Sequence, residues 1–202
     1  MTNNLIADFI FFFAVIDPIG TIPVFIAVTR HYQESVKTKI AIKATFIAAA
    51  ILLFFVVAGE LILNAIEIPL PAFQIAGGIV LFLFALSMIF GESKPDEEVK
   101  MANSSETAVF PLAIPSLASP GAMLAAVLLT KNDTYTIAEQ AMTTSMMLLV
   151  LLISMVFMLL ASKLYRLIGF SGASIISRVM GLILSSVAVT SILGGIKAYF
   201  SL

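Results

Sequence analysis

The sequence predicts an all-α integral membrane protein: a single transmembrane domain (1–202) of six helices, arranged as two inverted three-helix repeats. Three observations support this prediction. Hydrophobic residues make up 60% of the 202 residues and charged residues only 11%, which is far from the composition of soluble domains. The charged residues cluster between long apolar stretches, as a bilayer requires. The first and fourth of these stretches contain proline and glycine near their middle, which predicts that transmembrane helices 1 and 4 are discontinuous.

The composition also excludes several classes of function. The net charge is −1, so nothing indicates a nucleic-acid partner. There is no cysteine, which removes thiolate catalysis and iron–sulfur ligation, and the one histidine, His31, cannot form a zinc or haem site alone. We therefore expect no metal site and no cofactor, and leave a coupling proton or sodium ion open. The start MTNN has no Lys or Arg, so we expect the first apolar segment to be retained as a span.

Six stretches are long enough to cross a membrane, which requires about 20 apolar residues. They are 5–29, 41–64, 70–90, 109–130, 142–161 and 178–199. The polar segment between the third and fourth stretches divides the chain into repeat one (1–91), a loop (92–108) and repeat two (109–202). We expect tight turns between the other neighbouring spans, at Pro69 and after Lys131.

The basic residues predict the orientation of the chain. The connectors 30–43, 91–108 and 162–178 carry nine of the eleven Lys and Arg residues, and Lys131 and Lys197 are the other two. Because cytoplasmic loops carry the excess of Lys and Arg, we expect these three connectors in the cytoplasm and both termini outside.

The two halves also resemble each other in sequence. The third and sixth spans align without a gap at an offset of 104, which matches Gly77 with Gly181. Pro18 in the first span matches Pro120 in the fourth at an offset of 102. Since each half has three spans, the second half would enter the membrane from the opposite side, a layout common among secondary transporters.

Each interruption has the residue order of a helix start. Asp and Ser are favoured N-caps and proline is favoured at the first helical position, so Asp17-Pro18 and Ser119-Pro120 each predict the start of a new half-helix. The positive end of such a helix suits a substrate carboxylate. In an inverted repeat the two starts converge near the middle of the membrane. The candidate substrate-binding residues are Asp17, Pro18, Gly20, Thr21, Pro23, Pro115, Ser119, Pro120 and Gly121.

Several of these side chains have two interpretations. Asp17 either only caps its own half-helix or also binds a substrate ammonium, a proton or a cation, because an isolated carboxylate in the membrane is costly. Gly77, Gly78 and Gly181 either allow close helix packing, which we favour, or let a substrate approach the backbone. Thr190 either donates into a cavity or bonds back to its own helix.

Four segments of the chain resemble the MarC family. They are DPIGTIPVFIAVT (17–29), PLAIPSLASPGAMLAAVLL (111–129), QIAGGIVLFLFAL (74–86) and RVMGLIL (178–184). The resemblance covers essentially the whole chain and implies a multi-pass protein of a prokaryotic inner membrane, grouped with neutral amino acid transporters. The family name refers to multiple antibiotic resistance, an association that does not establish drug export. In this chain only the first interruption carries a charge, because Ser119 stands where the first half has Asp17.

We therefore expect a secondary transporter of small neutral amino acids or similar zwitterions, in contact with the lipid bilayer and a small-molecule substrate; a homo-oligomer is left open. An intramembrane enzyme is disfavoured, because His31 lies at the membrane edge and Asp17 has no evident second carboxylate. The alternative is a non-transport scaffold or a stress- or antibiotic-response membrane protein, since fold alone does not fix function. A wet cavity between spans one and four would favour transport, and a dry, packed interface would favour a scaffold.

Overall fold

The structure, a computed structural model, describes residues 5–90, 107–132 and 134–201. All regular elements in these ranges are helical and none is a strand, which confirms the prediction of an all-α protein. In chain order the elements are α1 (Leu5–Ile16), α2 (Pro18–Thr29), α3 (Glu34–Ala65), α4 (Leu70–Phe90), α5 (Ala108–Leu117), α6 (Pro120–Leu128), α7 (Ile137–Leu159) and α8 (Ala161–Tyr199).

Five stretches of the described chain are long and apolar enough to cross a membrane: α1 with α2, then α3, α4, α7 and the part of α8 from Ser174 to Tyr199. A sixth candidate is α5 with α6, two elements bent by 54° at the break between them. The chain is therefore a multi-pass membrane protein with five or six candidate spans.

The first span lies at the centre of the molecule. In its most apolar window 67% of the residues are buried, against 22–33% in the other four unbent candidate spans. Large apolar side chains on the outer helices are exposed, among them Phe46 on α3, Leu83 on α4 and Leu182 on α8. In a membrane protein such side chains face lipid, so α1 and α2 are surrounded by protein.

Two connectors predicted as loops are largely helical, and these predictions were wrong. Of the segment 30–43, all residues from Glu34 onward belong to α3, and the segment 162–178 belongs to α8. Lys, Arg and Glu mark the edge of the membrane but are good helix formers, so a helix continues through them into the interfacial region. The exception is Gly169, which interrupts α8 with φ 68° and ψ 171°, a conformation that glycine adopts without steric cost. The predicted loop 92–108 lies outside the described residues up to position 106.

The predicted span 109–130 is regular only in its second part, α6. In α5 the backbone of Phe110 (φ −120°, ψ 127°) and Ile114 (φ −132°, ψ 124°) is extended. Each of these residues precedes a proline, Pro111 or Pro115, and proline disfavours a helical conformation in the residue before it. The chain therefore reaches the break before α6 as an irregular, wide helical segment.

Helices α4 and α8 pack closely through glycines. A Cβ on Gly78 would lie 3.2 Å from the carbonyl oxygen of Ala188, and a Cβ on Gly181 would lie 3.0 Å from that of Ala85. Small residues allow such backbone approach between membrane helices. The two contacts map onto each other at a shift of 103, which takes Ala85 to Ala188 and pairs Gly181 with Gly78 and not with Gly77, its match in the gap-free alignment. Gly78 and Gly181 are therefore packing residues in a reciprocal contact.

Candidate functional site

The first interruption is a single residue, Asp17, between α1 and α2. Its backbone is left-handed (φ 50°, ψ 69°), and its side chain is the N-cap of α2, with Oδ1 accepting a hydrogen bond from the backbone N of Gly20 at 3.0 Å. A short polar residue tolerates this conformation better than most others. The carboxylate is 1% exposed, and the positive end of α2 stabilises it there. The predicted helix start at Asp17-Pro18 is present in the structure.

Gly20 is required by this cap. A Cβ built on Gly20 would collide with Oδ2 of Asp17 and would lie 2.8 Å from its Cγ. The carboxylate therefore folds over the first turn of α2 because position 20 has no side chain.

The second interruption is capped in the same way by Ser119. Its Oγ accepts from the backbone N of Ala122 at 3.1 Å, and Pro120 occupies the first position of α6. The same hydroxyl donates to the carbonyl oxygen of Val15 at 2.7 Å. Val15 lies in the last turn of α1, where carbonyl groups have no partner within the helix. One side chain thus caps α6 and satisfies an acceptor at the end of α1.

A second polar contact joins the same two regions. The hydroxyls of Thr21 on α2 and Ser116 on α5 are 3.0 Å apart and hydrogen-bonded, and Thr21 also donates to the carbonyl oxygen of Asp17 at 3.1 Å. Asp17, Thr21, Ser116 and Ser119 are all at most 1% exposed. We call these four residues with Val15 the junction. Ser116 is not among the residues predicted from the sequence; the available signal was a hydroxyl residue directly after a proline within an apolar span.

Comparison with known proteins places the chain in a family. The model of the MarC family integral membrane proteins matches residues 2–200. The chain belongs to the MarC family. The resemblance found in four segments therefore extends over nearly the whole chain.

Relatives of this MarC protein occur in archaea and bacteria. A UPF0056 membrane protein of Methanocaldococcus jannaschii is 37% identical, with 92% of each chain covered. One from Buchnera aphidicola subsp. Baizongia pistaciae is 33% identical with 98% of each chain covered, and one from Aquifex aeolicus is 31% identical with 94% of this chain and 90% of the relative covered. These names state no substrate. No solved structure matches the chain.

The remaining predicted site residues of the MarC protein differ in how far they are exposed. Pro18 and Pro23 are buried in α2 and Pro115 is half-buried, whereas Pro120 is exposed. A Cβ on Gly121 would lie 2.6 Å from Cδ1 of Leu81, so this glycine allows α6 to pack on α4. The structure therefore brings together Asp17, Thr21 and Ser119 from the predicted set, and it places the side chain of Pro120 away from the buried core.

The four other candidates, Gly77, Gly78, Gly181 and Thr190, take part in packing or in local hydrogen bonds. A Cβ on Gly77 would lie 2.9 Å from Cδ2 of Leu124 on α6, so Gly77, like Gly78 and Gly181, serves helix packing. Thr190 is exposed and donates to the carbonyl oxygen of Ser186 in its own helix at 2.9 Å. Of its two interpretations, the bond to its own helix is the one present.

The junction itself is closed. Its polar residues are at most 1% exposed, and junction residues do not line four cavities of about 240, 160, 360 and 270 Å³ that lie between described residues. Among the residues that the structure describes, no three His, Asp or Glu side chains are grouped to hold a metal ion. What the junction offers chemically is two helix starts, one carboxylate and three hydroxyls in a buried position.

Proposed function

We propose that this MarC family member is a secondary transporter of small neutral amino acids or similar small zwitterions, with the substrate held between the two interrupted spans. The observation that carries the proposal is the hydrogen bond from Ser119 to Val15, which brings the start of α6 against the end of α1. Helix starts present N–H groups and positive dipole ends, and broken helices use them to bind the carboxylate of a substrate in transporters.

Asp17 supplies the only charge of the junction. A carboxylate within a transmembrane segment costs about 2.5 to 3.5 kcal/mol on insertion scales, and its N-cap bond offsets part of this cost. A substrate ammonium, or a coupling proton or sodium ion, would offset more. Ser119 would exchange its bond to Val15 for one to the substrate carboxylate. A zwitterion therefore matches both ends of the junction.

The proposal includes an inverted repeat of residues 1–91 and 109–202, with transmembrane helices 1 and 4 discontinuous. Two features support it. The caps have the same spacing, from Asp17 to Gly20 and from Ser119 to Ala122. The Gly78 and Gly181 contacts correspond to each other at a shift of 103 residues, close to the shift of 102 that relates the two caps. With three spans in each half, we propose that both termini lie outside an inner (plasma) membrane and that the regions 30–43, 91–108 and 162–178 lie at its cytoplasmic face.

A scaffold is the competing proposal, and the closed junction bears on it. A packed junction favours a scaffold, although a transporter whose binding site is closed has the same arrangement. Polar side chains favour the transporter, because apolar residues of similar size would pack two halves together without the cost of burying polar groups in a membrane. Transport then requires α1 and α2 to separate from α5 and α6.

The test is uptake or exchange of radiolabelled glycine, alanine, serine and threonine by proteoliposomes. We expect transport of at least one of these substrates, and at least a tenfold loss in both Asp17→Asn and Ser119→Ala. Ser154→Ala is the matched control, since Ser154 is equally buried and donates only to Val150 of its own helix at 3.0 Å. Absence of uptake of all four amino acids contradicts the substrate class. Unchanged transport in both junction variants contradicts the site.

A further inference from the structure

A cavity of about 240 Å³ lies where four helix ends meet, away from the junction. It is bounded by the last turn of α2, the first turns of α3 and α8 and the last turn of α7. Because the ends of α2, α3 and α7 at this place are also ends of candidate spans, the cavity lies at the boundary between the hydrocarbon and the water. One part of its wall is apolar and comes from Phe25, Ile26, Met158 and Leu159.

The rest of the wall is polar and carries a net positive charge. Lys37 is half-buried, with 22% of its side chain exposed, and forms an ion pair at 2.8 Å with Glu34, whose side chain is 84% exposed. Arg30 donates from Nε to Nε2 of His31 at 2.9 Å, and its guanidinium makes no other hydrogen bond to the described residues. Two cations therefore face the cavity, and the one carboxylate among its lining residues points mainly to water.

The residues at the opposite end of the molecule differ in charge from those near the cavity. There Glu60 on α3 accepts two hydrogen bonds from Asn132, from its backbone N and its Nδ2, both at 2.8 Å. In the proposed repeat, Glu60 corresponds to Lys163 at a shift of 103 and Asn132 to Arg30 at a shift of 102. An acceptor and a donor at one end are thus replaced by two cations at the other. Of these two cations only Arg30 lines the cavity, so this end has a cation without the carboxylate that Asn132 binds at the opposite end.

We infer that this cavity binds the headgroup of an anionic phospholipid. The phosphate interacts with Arg30 and Lys37, and an acyl chain lies against the apolar wall. Basic pockets between transmembrane helices bind anionic headgroups in this way. A lipid fits better than free phosphate, because much of the lining is apolar and the cavity is at the level of the bilayer surface. This site is separate from the junction and goes beyond the proposed transport function.

The experiment measures lipid binding by native mass spectrometry of the full chain released from a neutral detergent. The probes are phosphatidylglycerol, phosphatidylcholine and inorganic phosphate. The test variant is Arg30→Gln with Lys37→Gln, and its matched control is Lys39→Gln with Lys43→Gln, which removes two exposed charges from α3 outside the cavity. We expect the test variant to bind phosphatidylglycerol about 25-fold more weakly, at roughly fivefold per lost cation, and the control to change less than twofold.

Three results would overturn the inference. Equal loss of binding in the two double variants would mean attraction by general surface charge. Equal binding of the two lipids by the wild type would mean that the headgroup charge is not recognised. Displacement of phosphatidylglycerol by millimolar inorganic phosphate would mean a site for soluble phosphate.

A second variant covers the case in which loss of both charges prevents folding. Arg30→Lys with Lys37→Arg keeps both charges, so it should keep binding within about fivefold of the wild type. A loss of selectivity for phosphatidylglycerol in this variant would contradict the inference. Since binding is measured without transport, failure here leaves the proposed function untouched, and failure of transport leaves this site untouched.

Discussion

The hydroxyl of Ser119 donates to the carbonyl of Val15 across 2.7 Å and joins two interrupted spans that are far apart in sequence. The same oxygen accepts from Ala122 N and so begins α6. The start of one helix is thereby tied to the end of another. Neither end can move away without breaking this bond, which makes Ser119 the residue on which the geometry of the junction depends most directly.

Replacing Ser119 by alanine should lower the free energy of unfolding by about 1 to 3 kcal/mol, because the change removes an N-cap and leaves a buried carbonyl without its partner. Thermal unfolding in detergent measures this loss. Ser154→Ala is the control, since its hydroxyl only bonds back to its own helix, and its cost should be below about 1 kcal/mol. Equal losses in the two variants would show that the bridge to Val15 contributes nothing to stability.

Gly20→Ala should destabilise the protein by about 1 to 3 kcal/mol, because the added Cβ forces the Asp17 carboxylate out of its N-cap position. Gly194→Ala is the control, since the one heavy atom near its Cβ would be the terminal Nε2 of Gln74, at 3.2 Å. Its effect should be small or stabilising, as alanine favours a helix over glycine. Melting temperatures in one detergent compare the two variants. A smaller loss in Gly20→Ala than in Gly194→Ala would rule out the steric argument.

The two helix starts at the junction could be predicted because their signals are local. An N-cap residue followed by proline specifies a start within a few residues, and the structure has Asp17 and Ser119 in these roles. The partner of Ser119 could not be predicted in this way. The acceptor is a backbone carbonyl, which every residue has, so Val15 carries no signal in the sequence.

The lengths of α3 and α8 could not be predicted from the sequence patterns either. Hydropathy shows where a chain leaves the hydrocarbon, and the charges after Thr29 and after Leu160 mark that boundary. A helix does not have to end there, because its hydrogen bonds stay internal in water as well. The break at Gly169 depends on a backbone conformation that glycine permits but does not impose.

Gly78→Ala and Gly181→Ala should have similar costs, about 1 to 3 kcal/mol each, because each added methyl group approaches a backbone carbonyl of the facing helix. Reciprocal contacts predict nearly equal losses of melting temperature. Gly194→Ala again serves as the control on the same pair of helices. A loss at one glycine with none at the other would contradict the reciprocal packing of α4 and α8.

The bond between Glu60 and Asn132 allows a test of movement at the end of the molecule opposite the cavity lined by Arg30 and Lys37. Because the chain has no cysteine, Glu60→Cys with Asn132→Cys introduces the only two thiols. A short cleavable bis-maleimide should join them and hold the end of α3 against the α6–α7 connection. If transport requires this end to open, cross-linking should reduce uptake to the background, and cleavage of the linker should restore it. Single-cysteine variants treated in the same way control for modification alone. Full transport by the cross-linked protein would show that α3 and the α6–α7 connection stay together throughout the cycle, and that opening takes place elsewhere.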